Sequence, residues 1–484
     1  MEFLLINPGF NQNLQFPLGL AYLASYARKY GNHRPSVIDE NSGQKIKDFK
    51  HLKPGLIGLT SSTPNFPEAK QAIKEAKEVF GEKIPIVIGG IHATSLPRLV
   101  LEQNSEIGIV IAGEGEKTFL ELLNLLERKK SFTEEDLKKI KGIAFRSKSG
   151  RIIQTSSCLF IENLDEIPFP ARDLFPMKEF YIQPRAVIRG LLKKTTQIMS
   201  SRGCPYDCKF CASKMMWKRR VRFFSAEYVV KEIEHLVRDY GVTALYFVDD
   251  TLVVNKERLK KISSMLVEKG LNQKISWSCQ MRANLVDEET LEAIKKAGCV
   301  QVEFGFESGC QRVLSDIKDG NVTVEQNARA IELCKKHGLR VLGNFVVGNP
   351  EETEAEILET FEFMKKHKMD FVHPHLATPF PGSDYWELAV KRGIVDEKNI
   401  DWKKFQMSTA ENNLLIADAI PIPRLLELYD EMSRFATENN RASLEVGSLK
   451  ELLNLQTILR VLRTPSHILK YGPKVLKKML KGKS

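Results

Sequence analysis

The stretch Ser201-Arg-Gly-Cys-Pro-Tyr-Asp-Cys-Lys-Phe-Cys-Ala212 places thiols at Cys204, Cys208 and Cys211, a C-x3-C-x2-C spacing. Thiolates are the usual ligands of iron–sulfur clusters, and three of them can hold a cluster by three of its four irons. The fourth iron then stays open to a ligand from outside the protein. An apolar, β-prone run at residues 195–200 precedes the loop. The sequence therefore predicts a cluster loop at the carboxyl end of a strand, where α/β barrels place their chemistry.

Two other uses of clustered cysteines fit this spacing less well. A structural zinc site usually has four protein ligands, often as paired C-x2-C units, and no second Cys or His pair follows at such a distance. Three close cysteines cannot all pair as disulfides. The chain has only 8 cysteines in 484 residues, which favours a reducing compartment with a metal centre over a disulfide framework.

Length and composition limit the class of protein. A chain of 484 residues is long enough for two or three domains, and a hydrophobic fraction of 43% is typical of globular proteins. The net charge of +11 comes without an aromatic-interleaved basic stripe, so we expect no nucleic-acid partner. No apolar run is long enough to span a membrane, and the N-terminus carries no basic segment typical of a signal peptide. We therefore expect a cytoplasmic protein.

Residues 1–130 alternate short apolar runs with helical periods. The predicted strands cover residues 3–6, 35–38, 55–60, 84–88 and 107–111. The predicted helices cover residues 18–29, 67–80, 96–102 and 116–128. This alternation predicts a Rossmann-like (flavodoxin-like) parallel sheet with helices on both faces. Ligands of such sheets bind at the carboxyl ends of the strands.

Residues 191–415 repeat a strand and a helix six times. The predicted strands cover residues 195–200, 244–248, 275–279, 300–306, 340–347 and 371–376. Six units predict a partial (β/α)6 barrel, which is open enough to admit a large substrate. Polar residues gather at the strand ends, and polar groups facing one barrel mouth indicate an active site.

Two other regions complete the α/β class. Residues 131–190 are a predicted linker with a small hairpin at 142–155, in which Pro168 and Pro170 favour an extended connector. Residues 416–484 are a predicted helical, basic C-terminal region, with helices at 421–439 and 448–462. From Arg460 onward there are eight Lys or Arg and no Asp or Glu. Such a segment suits either an anionic membrane surface or a solvated terminal helix.

The cysteine spacing, with the aromatic Phe210 before the last cysteine, resembles the radical S-adenosylmethionine (SAM) superfamily. The resemblance implies a [4Fe–4S] cluster on the three cysteines and SAM on the open iron, cleaved reductively to a 5′-deoxyadenosyl radical. It also implies a SAM pocket that includes Phe210, Asp249, Arg282, Glu307 and Asn344. Arg282 would pair with the SAM carboxylate or with Glu307, and a structural ion pair is its alternative. Asp249 equally suits the cap of the following helix.

The first 130 residues resemble the cobalamin-binding domain of many radical SAM enzymes. The resemblance rests on Asn7-Pro8, Pro17-Leu-Gly-Leu-Ala-Tyr-Leu23, Gly89-Gly-Ile-His-Ala-Thr94 and Gly113-Glu-Gly-Glu116. It implies that cobalamin contacts Asn7, Pro17, Ser61, Gly89, Gly90, His92, Gly113 and Glu114. The Asp-x-His-x-x-Gly motif, whose His ligates cobalt in related domains, is absent. Cobalamin would therefore bind without a protein histidine on the metal, or the domain would be vestigial.

Together these features predict a cobalamin-associated radical SAM enzyme whose radical abstracts hydrogen from an unactivated carbon, most simply for methylation. Cyclisation or rearrangement, on a lipid or a tetrapyrrole, is the alternative within the family. An iron–sulfur redox or scaffold protein without turnover is the alternative outside it. The expected partners are a low-potential electron donor (ferredoxin or flavodoxin) and a small-molecule or lipid substrate. The basic tail would allow peripheral contact with the inner face of the membrane. No residue identifies the substrate or a catalytic acid or base.

Overall fold

Two seven-stranded sheets, one in each half of the chain, organise the computed structural model. The structure describes residues 1–9, 15–182, 184–188, 191–405 and 414–452. The strands of the first sheet are β1 (Glu2–Asn7), β2 (Arg34–Asp39), β3 (Ile57–Thr60), β4 (Ile86–Gly89), β5 (Ile109–Ile111), β6 (Ile143–Arg146) and β7 (Ile152–Gln154). Next come β8 (Pro184–Ile188), β9 (Leu191–Ile198), the short β10 (Ser201–Arg202) and β11 (Arg222–Phe223). The last are β12 (Ala244–Phe247), β13 (Ser276–Met281), β14 (Cys299–Glu307), β15 (Arg340–Val347) and β16 (Phe371–Leu376).

The first sheet has the strand order β2-β1-β3-β4-β5-β6-β7. Strands β1 to β5 are parallel, and β6 and β7 extend the sheet as an antiparallel hairpin. Strands β1, β3, β4 and β5 are mostly buried Val, Ile and Leu, as expected for parallel strands covered on both faces. The predicted Rossmann-like sheet is confirmed, and the hairpin predicted in the linker is part of it.

Helices pack against the strands of both sheets. In the N-terminal half they are α1 (Leu18–Gly31), α2 (Phe66–Phe80), α3 (Ile91–Ser95), α4 (Pro97–Gln103), α5 (Glu116–Lys129) and α6 (Glu134–Leu137). In the barrel they are α7 (Ser213–Trp217), α8 (Ala226–Tyr240), α9 (Lys256–Glu268), α10 (Glu288–Lys296), α11 (Gln311–Ile317), α12 (Val324–Lys336), α13 (Glu354–Lys366) and α14 (Asp384–Lys391). The last is α15 (Ile422–Leu452). Local sequence sets several ends, since the Ser225 side chain caps α8 and Gly241, at φ +66°, terminates it.

The second sheet has the strand order β16-β15-β14-β13-β12-β9-β8. Six of its strands, β9 and β12 to β16, run parallel and lie side by side in chain order, and β8 runs antiparallel at the edge. The predicted partial (β/α)6 barrel is confirmed. Since all six parallel strands point the same way, their carboxyl ends share one mouth.

Two hydrophobic clusters hold the halves together, and each contains residues from both. In β1 the side chains alternate between them, because successive residues of a strand point to opposite faces. Phe3 and Leu5 belong to a cluster that continues through the linker into the barrel helices. Leu4 and Ile6 belong to one that also contains Trp386 and Trp402. The two α/β regions therefore share continuous cores.

Helix α15 closes the open edge of the partial barrel. Asn440 accepts a hydrogen bond from the Val372 N–H at 2.8 Å and donates one to the Val372 carbonyl at 2.9 Å. These bonds give β16 the backbone partners that a further strand would supply. The helix was expected to end at residue 439, but it continues to Leu452 because its asparagines face the sheet instead of ending the helix.

The basic segment from Arg460 onward lies outside the described residues, as does most of the helix predicted at 448–462. Within the ranges that the structure describes, no helix has the length and apolar character needed to cross a membrane.

Candidate cluster and cofactor site

A two-stranded antiparallel ribbon closes the base of the cluster loop. Strands β10 and β11 pair antiparallel, with Arg202 opposite Arg222, and close residues 203–221 into a loop. Gly203 lies where the two ends of the loop meet and has φ +99°, and a Cβ there would lie 2.0 Å from the Arg220 carbonyl oxygen. Only glycine fits at this position, which immediately precedes Cys204, the first cysteine of the loop.

Asp249, which is buried, and Arg258, which is partly buried, fix the residues at the base of the loop. The Asp249 carboxylate accepts hydrogen bonds from the Ser200 N–H at 3.0 Å, the Ser200 hydroxyl at 2.8 Å and the Ser201 hydroxyl. Arg258 donates to the Ser200 and Phe224 carbonyls, both at 2.6 Å. Burial raises the pKa of Asp249, and these bonds partly offset the rise. Asp249 therefore holds the strand end that carries the loop, and its expected role toward SAM stays a prediction.

Each cysteine of the loop lies beside a different polar group. The Cys204 Sγ is 3.8 Å from the Thr251 hydroxyl, the Cys208 Sγ is 3.7 Å from Arg282 Nη1, and the Cys211 Sγ accepts from the Ser213 N–H at 3.5 Å. Cys208 is buried, and the other two are partly exposed. Thiolates and cluster sulfurs accept such bonds, and bonds of this kind help to set a cluster's potential.

The donor set fits a cluster better than a single metal ion. Three thiols on one loop can hold three irons of a cluster and leave the fourth open, whereas a structural zinc ion usually has four protein ligands. Burial raises the pKa of Cys204, and raises that of Cys211 to about 12. These groups are therefore thiols in the free loop, and iron must displace their protons to bind.

Residues 317–320, at the C-terminal end of α11 and just after it, form hydrogen bonds with the cluster loop from the barrel side. The Lys209 N–H donates to the Ile317 carbonyl at 3.0 Å, and the Asp207 N–H donates to Asp319 at 2.9 Å. Lys318 points inward, pairs with Glu307 at 3.2 Å and donates to the Gly305 carbonyl. Glu307 was expected to pair with Arg282 or to meet SAM, and the structure gives it Lys318 as its partner.

The remaining predicted SAM residues line the barrel mouth separately. Glu307 has φ +64°, an uncommon conformation for a non-glycine residue that is frequent at functional sites. Asn344 lies on β15 and is 3.3 Å from His375 Nε2 on β16. Phe210 is partly buried and packs against the hydrophobic cluster that contains Trp386. The roles of these residues toward SAM stay predictions.

The residues predicted to contact cobalamin gather at the carboxyl edge of the first sheet. Asn7 donates to Asp39 at 2.8 Å, and Gly113 N–H donates to Thr94 at 3.0 Å. Pro17 precedes α1, Gly89 ends β4, and Gly90 has φ +93°. Their roles toward the cofactor also stay predictions.

Three buried polar atoms at this edge have no hydrogen-bond partner among the described residues. They are the Ser61 hydroxyl, His92 Nε2 and the Ser95 hydroxyl. Hydroxyl and imidazole groups of this kind suit the amide side chains on the rim of a corrin ring. Buried polar groups need such partners, so the residues present fit cobalamin, with Ser61, His92 and Ser95 as the groups that would hold it.

His92 is held as a neutral imidazole. Its ring lies 4.2 Å from the Phe66 ring and 4.5 Å from the Trp402 ring, and its Nδ1 is 3.2 Å from the Thr63 hydroxyl. Burial, with a smaller contribution from Lys70, lowers the pKa of His92 to about 3. Its free Nε2 can therefore donate or accept one hydrogen bond at any physiological pH.

Glu114 connects the first sheet to the cluster loop. Arg202 pairs with Glu114 and, at 2.6 Å, with Glu116, while Arg222 pairs with Glu114 at 2.9 Å. Burial opposes ionisation of Glu114, but the two guanidinium groups outweigh it and lower its pKa. Both carboxylates therefore anchor the ribbon β10–β11, and Glu116 is also the first residue of α5. The expected contact of Glu114 with cobalamin stays a prediction.

Several residues of the site were not predicted from sequence, among them Arg202, Arg222, Arg258, Lys318 and Ser95. Arg202 and Arg222 flank the cysteine loop in the sequence, and two arginines at the base of a loop are a signal that carboxylate partners lie elsewhere in the chain. Lys318 and Ser95 lie in ordinary loop and helix patterns that give no such signal.

Comparison with known proteins agrees with this geometry. A model of the radical SAM superfamily matches residues 198–364, and a model of the B12 binding domain matches residues 12–123. A protein of Pyrococcus horikoshii described as an uncharacterized methyltransferase is 36% identical over 394 residues, which are 80% of this chain and 81% of that one. The anaerobic magnesium-protoporphyrin IX monomethyl ester cyclase of Rubrivivax gelatinosus is 29% identical over 388 residues, with 78% and 67% covered.

Among solved structures, the radical SAM methyltransferase TsrM of Kitasatospora setae, with cobalamin and a [4Fe–4S] cluster bound, matches with a TM-score of 0.72. The match covers 89% of this chain and 90% of that one at 16% identity, and it shows a shared fold.

The predicted family and cofactor set are confirmed by these matches. The protein is an enzyme, so the alternative of a redox or scaffold protein without turnover is set aside. Its cofactors are a [4Fe–4S] cluster, SAM and cobalamin. The chain belongs to the radical SAM superfamily, in the group whose members carry an N-terminal B12-binding domain.

Proposed function

We propose that this enzyme methylates an unactivated carbon of a small molecule. One observation carries the proposal: the cofactor edge of the first sheet lies directly against the cluster region. A Cβ at Gly382, after β16, would lie 2.5 Å from Met215 Cγ of α7 and 2.8 Å from Ser95 Oγ of α3. The barrel mouth, helix α7 of the cluster loop and the B12 edge therefore meet at one point.

When bound, the cluster and SAM supply a 5′-deoxyadenosyl radical that abstracts hydrogen, and cobalamin supplies the methyl group. The protein's part is to bind these groups, orient them and exclude water. Cys204, Cys208 and Cys211 hold the cluster, with Arg202, Asp249 and Arg258 fixing the loop. The reductant in this proposal is a low-potential ferredoxin or flavodoxin.

Polar side chains inside the barrel are suited to orient a substrate. Tyr246 OH is 3.1 Å from Glu303, and Gln280 donates to Tyr246 OH at 2.8 Å. Gln301 donates to the other Glu303 oxygen at 3.0 Å. Burial and the neighbouring Glu303 raise the pKa of Tyr246, so it remains a phenol. A substrate with hydroxyl, amide or amine groups fits this set better than a plain lipid chain.

Ring formation is the second candidate, because the relative from Rubrivivax gelatinosus is described as a cyclase and matches most of this chain. The relative from Pyrococcus horikoshii, which is more similar, is described as a methyltransferase. We therefore place methylation first.

The test uses SAM with a deuterated methyl group. The enzyme is purified anaerobically with cobalamin supplied, its cluster is reconstituted, and it is incubated with labelled SAM and a reductant. We expect the deuterated methyl group on the protein-bound corrinoid, measured by mass spectrometry. 5′-Deoxyadenosine together with an unlabelled corrinoid would reject methylation and favour cyclisation or rearrangement.

A further inference from the structure

Arg282 is a buried cation without a carboxylate partner. The residue is 5% exposed, and no Asp or Glu of the described ranges forms an ion pair with it. Its Nε donates to Asn284 at 3.1 Å, and its Nη2 is buried without a partner. A buried charge needs an opposite charge or several hydrogen bonds to be tolerated. The protein alone does not supply that opposite charge.

The guanidinium group is held rigidly beside the cluster loop. Its central carbon lies 3.7 Å from the centre of the Tyr206 ring, and Tyr206 lies between Cys204 and Cys208 in the loop. Gly320 packs beside this pair, since a Cβ there would lie 3.0 Å from Arg282 Nη2 and 2.8 Å from the Tyr206 ring. The stack therefore leaves Arg282 little freedom to turn away from Cys208.

The three cysteines have different polar neighbours. Cys204 lies beside the Thr251 hydroxyl, whose proton is donated to the Asp250 carbonyl at 2.6 Å. Cys211 accepts from a backbone N–H, and Cys208 accepts from the charged Nη1 of Arg282 at 3.7 Å. Hydrogen bonds from charged donors are roughly twice as strong as those between neutral groups. Cys208 is also the one buried cysteine of the three, and burial strengthens electrostatic interactions.

We propose that Arg282 is a positioning residue that raises the reduction potential of the cluster through Cys208. This inference rests on the proposed function, because it requires the cluster. Reduction adds one electron to the cluster, supplied by the low-potential donor. A cationic N–H donor on a ligand sulfur stabilises the more negative, reduced form, so it makes that electron transfer more favourable.

The test is a redox titration of the reconstituted cluster without SAM, followed by electron paramagnetic resonance. We expect Arg282→Met to lower the equilibrium constant for reduction about tenfold, a potential about 59 mV more negative for a one-electron couple. Arg282→Lys keeps the charge but loses the planar fork, and we expect a smaller shift in the same direction.

Lys209→Met is the matched control. Lys209 lies in the cluster loop next to Cys208, carries the same charge as Arg282, and is half-exposed in an ion pair with Asp316. We expect less than a twofold change in the equilibrium constant for this variant. An Arg282→Met potential equal to that of the wild type, or equal to that of Lys209→Met, would overturn the proposal.

Loss of the cluster separates the possible failures. If Arg282→Met does not retain a cluster, the Arg282→Lys potential decides, and an unchanged value overturns the proposal. A wild-type protein that cannot be loaded with a cluster contradicts the proposed function instead.

Discussion

Glu114 is the residue on which the junction between the two halves depends most. Its carboxylate is buried and paired with Arg202 and Arg222. Removing one member of a buried ion pair leaves an uncompensated charge and costs about 3–5 kcal/mol. We therefore expect Glu114→Gln to lower the free energy of unfolding by that amount, measured by urea denaturation.

Glu162→Gln is the control for this prediction, because Glu162 pairs with Arg220 on the surface, where both side chains are at least half exposed. Such a pair contributes about 0–1 kcal/mol. Equal losses for the two variants would show that the buried pairing of Glu114 has no special role.

Glu352 gives the protein a defined pH dependence. It follows β15, is fully buried, and accepts two hydrogen bonds from Asn349. Burial raises its pKa to about 7. Because the folded-state pKa is the higher one, the folded protein binds more protons than the unfolded chain between pH 4.5 and 7, and stability is lost as the pH rises through that window.

We expect Glu352→Gln to remove this loss. Between pH 4.5 and pH 8, the free energy of unfolding of the variant should rise by about 3 kcal/mol relative to that of the wild type, because one pKa unit corresponds to about 1.4 kcal/mol. Thermal unfolding across this pH range measures the difference. Glu351→Gln, at an exposed position next to it, should follow the wild-type curve, and a Glu352→Gln curve parallel to wild type would contradict the assignment.

Among the elements, the cluster loop depends most on its own backbone geometry. A Cβ at Gly203 would meet the Arg220 carbonyl at 2.0 Å, and its φ of +99° disfavours any other residue. We expect Gly203→Ala to reduce iron and sulfide content after reconstitution at least tenfold. Gly241→Ala is the control, because Gly241 has φ +66° in open space. Full cluster content in Gly203→Ala would contradict the predicted clash.

The elements also show what the sequence can and cannot predict. Strands β14, β15 and β16 were predicted within a residue or two, because their apolar runs and turn residues are local signals. The C-terminal end of α15 was not, because Asn440 resembles a helix terminator and its actual partner, Val372, is far away in sequence. The same limit applies to the ion pairs of Glu114, which the segment Gly113-Glu-Gly-Glu116 does not reveal, while its predicted contact with cobalamin stays a prediction. Its partner Arg202 becomes visible only in the folded chain.

At the scale of the whole molecule, the shared cores predict one unfolding transition. Each hydrophobic cluster contains residues of both α/β regions, so neither region can lose its packing alone. All four tryptophans, Trp217, Trp277, Trp386 and Trp402, follow the B12 region in the chain. We expect tryptophan fluorescence and the visible spectrum of bound corrinoid to change at the same urea concentration. Loss of the corrinoid spectrum well before the fluorescence change would show independent domains.

The most direct test of the account is anaerobic SAM cleavage. The protein is purified with cobalamin, its cluster is reconstituted, and 5′-deoxyadenosine is assayed after addition of SAM and dithionite. We predict 5′-deoxyadenosine from the wild type, none from Cys208→Ala, and a bound corrinoid spectrum in both. A wild-type protein that holds the cluster and SAM but forms no 5′-deoxyadenosine would contradict the radical mechanism proposed for this chain.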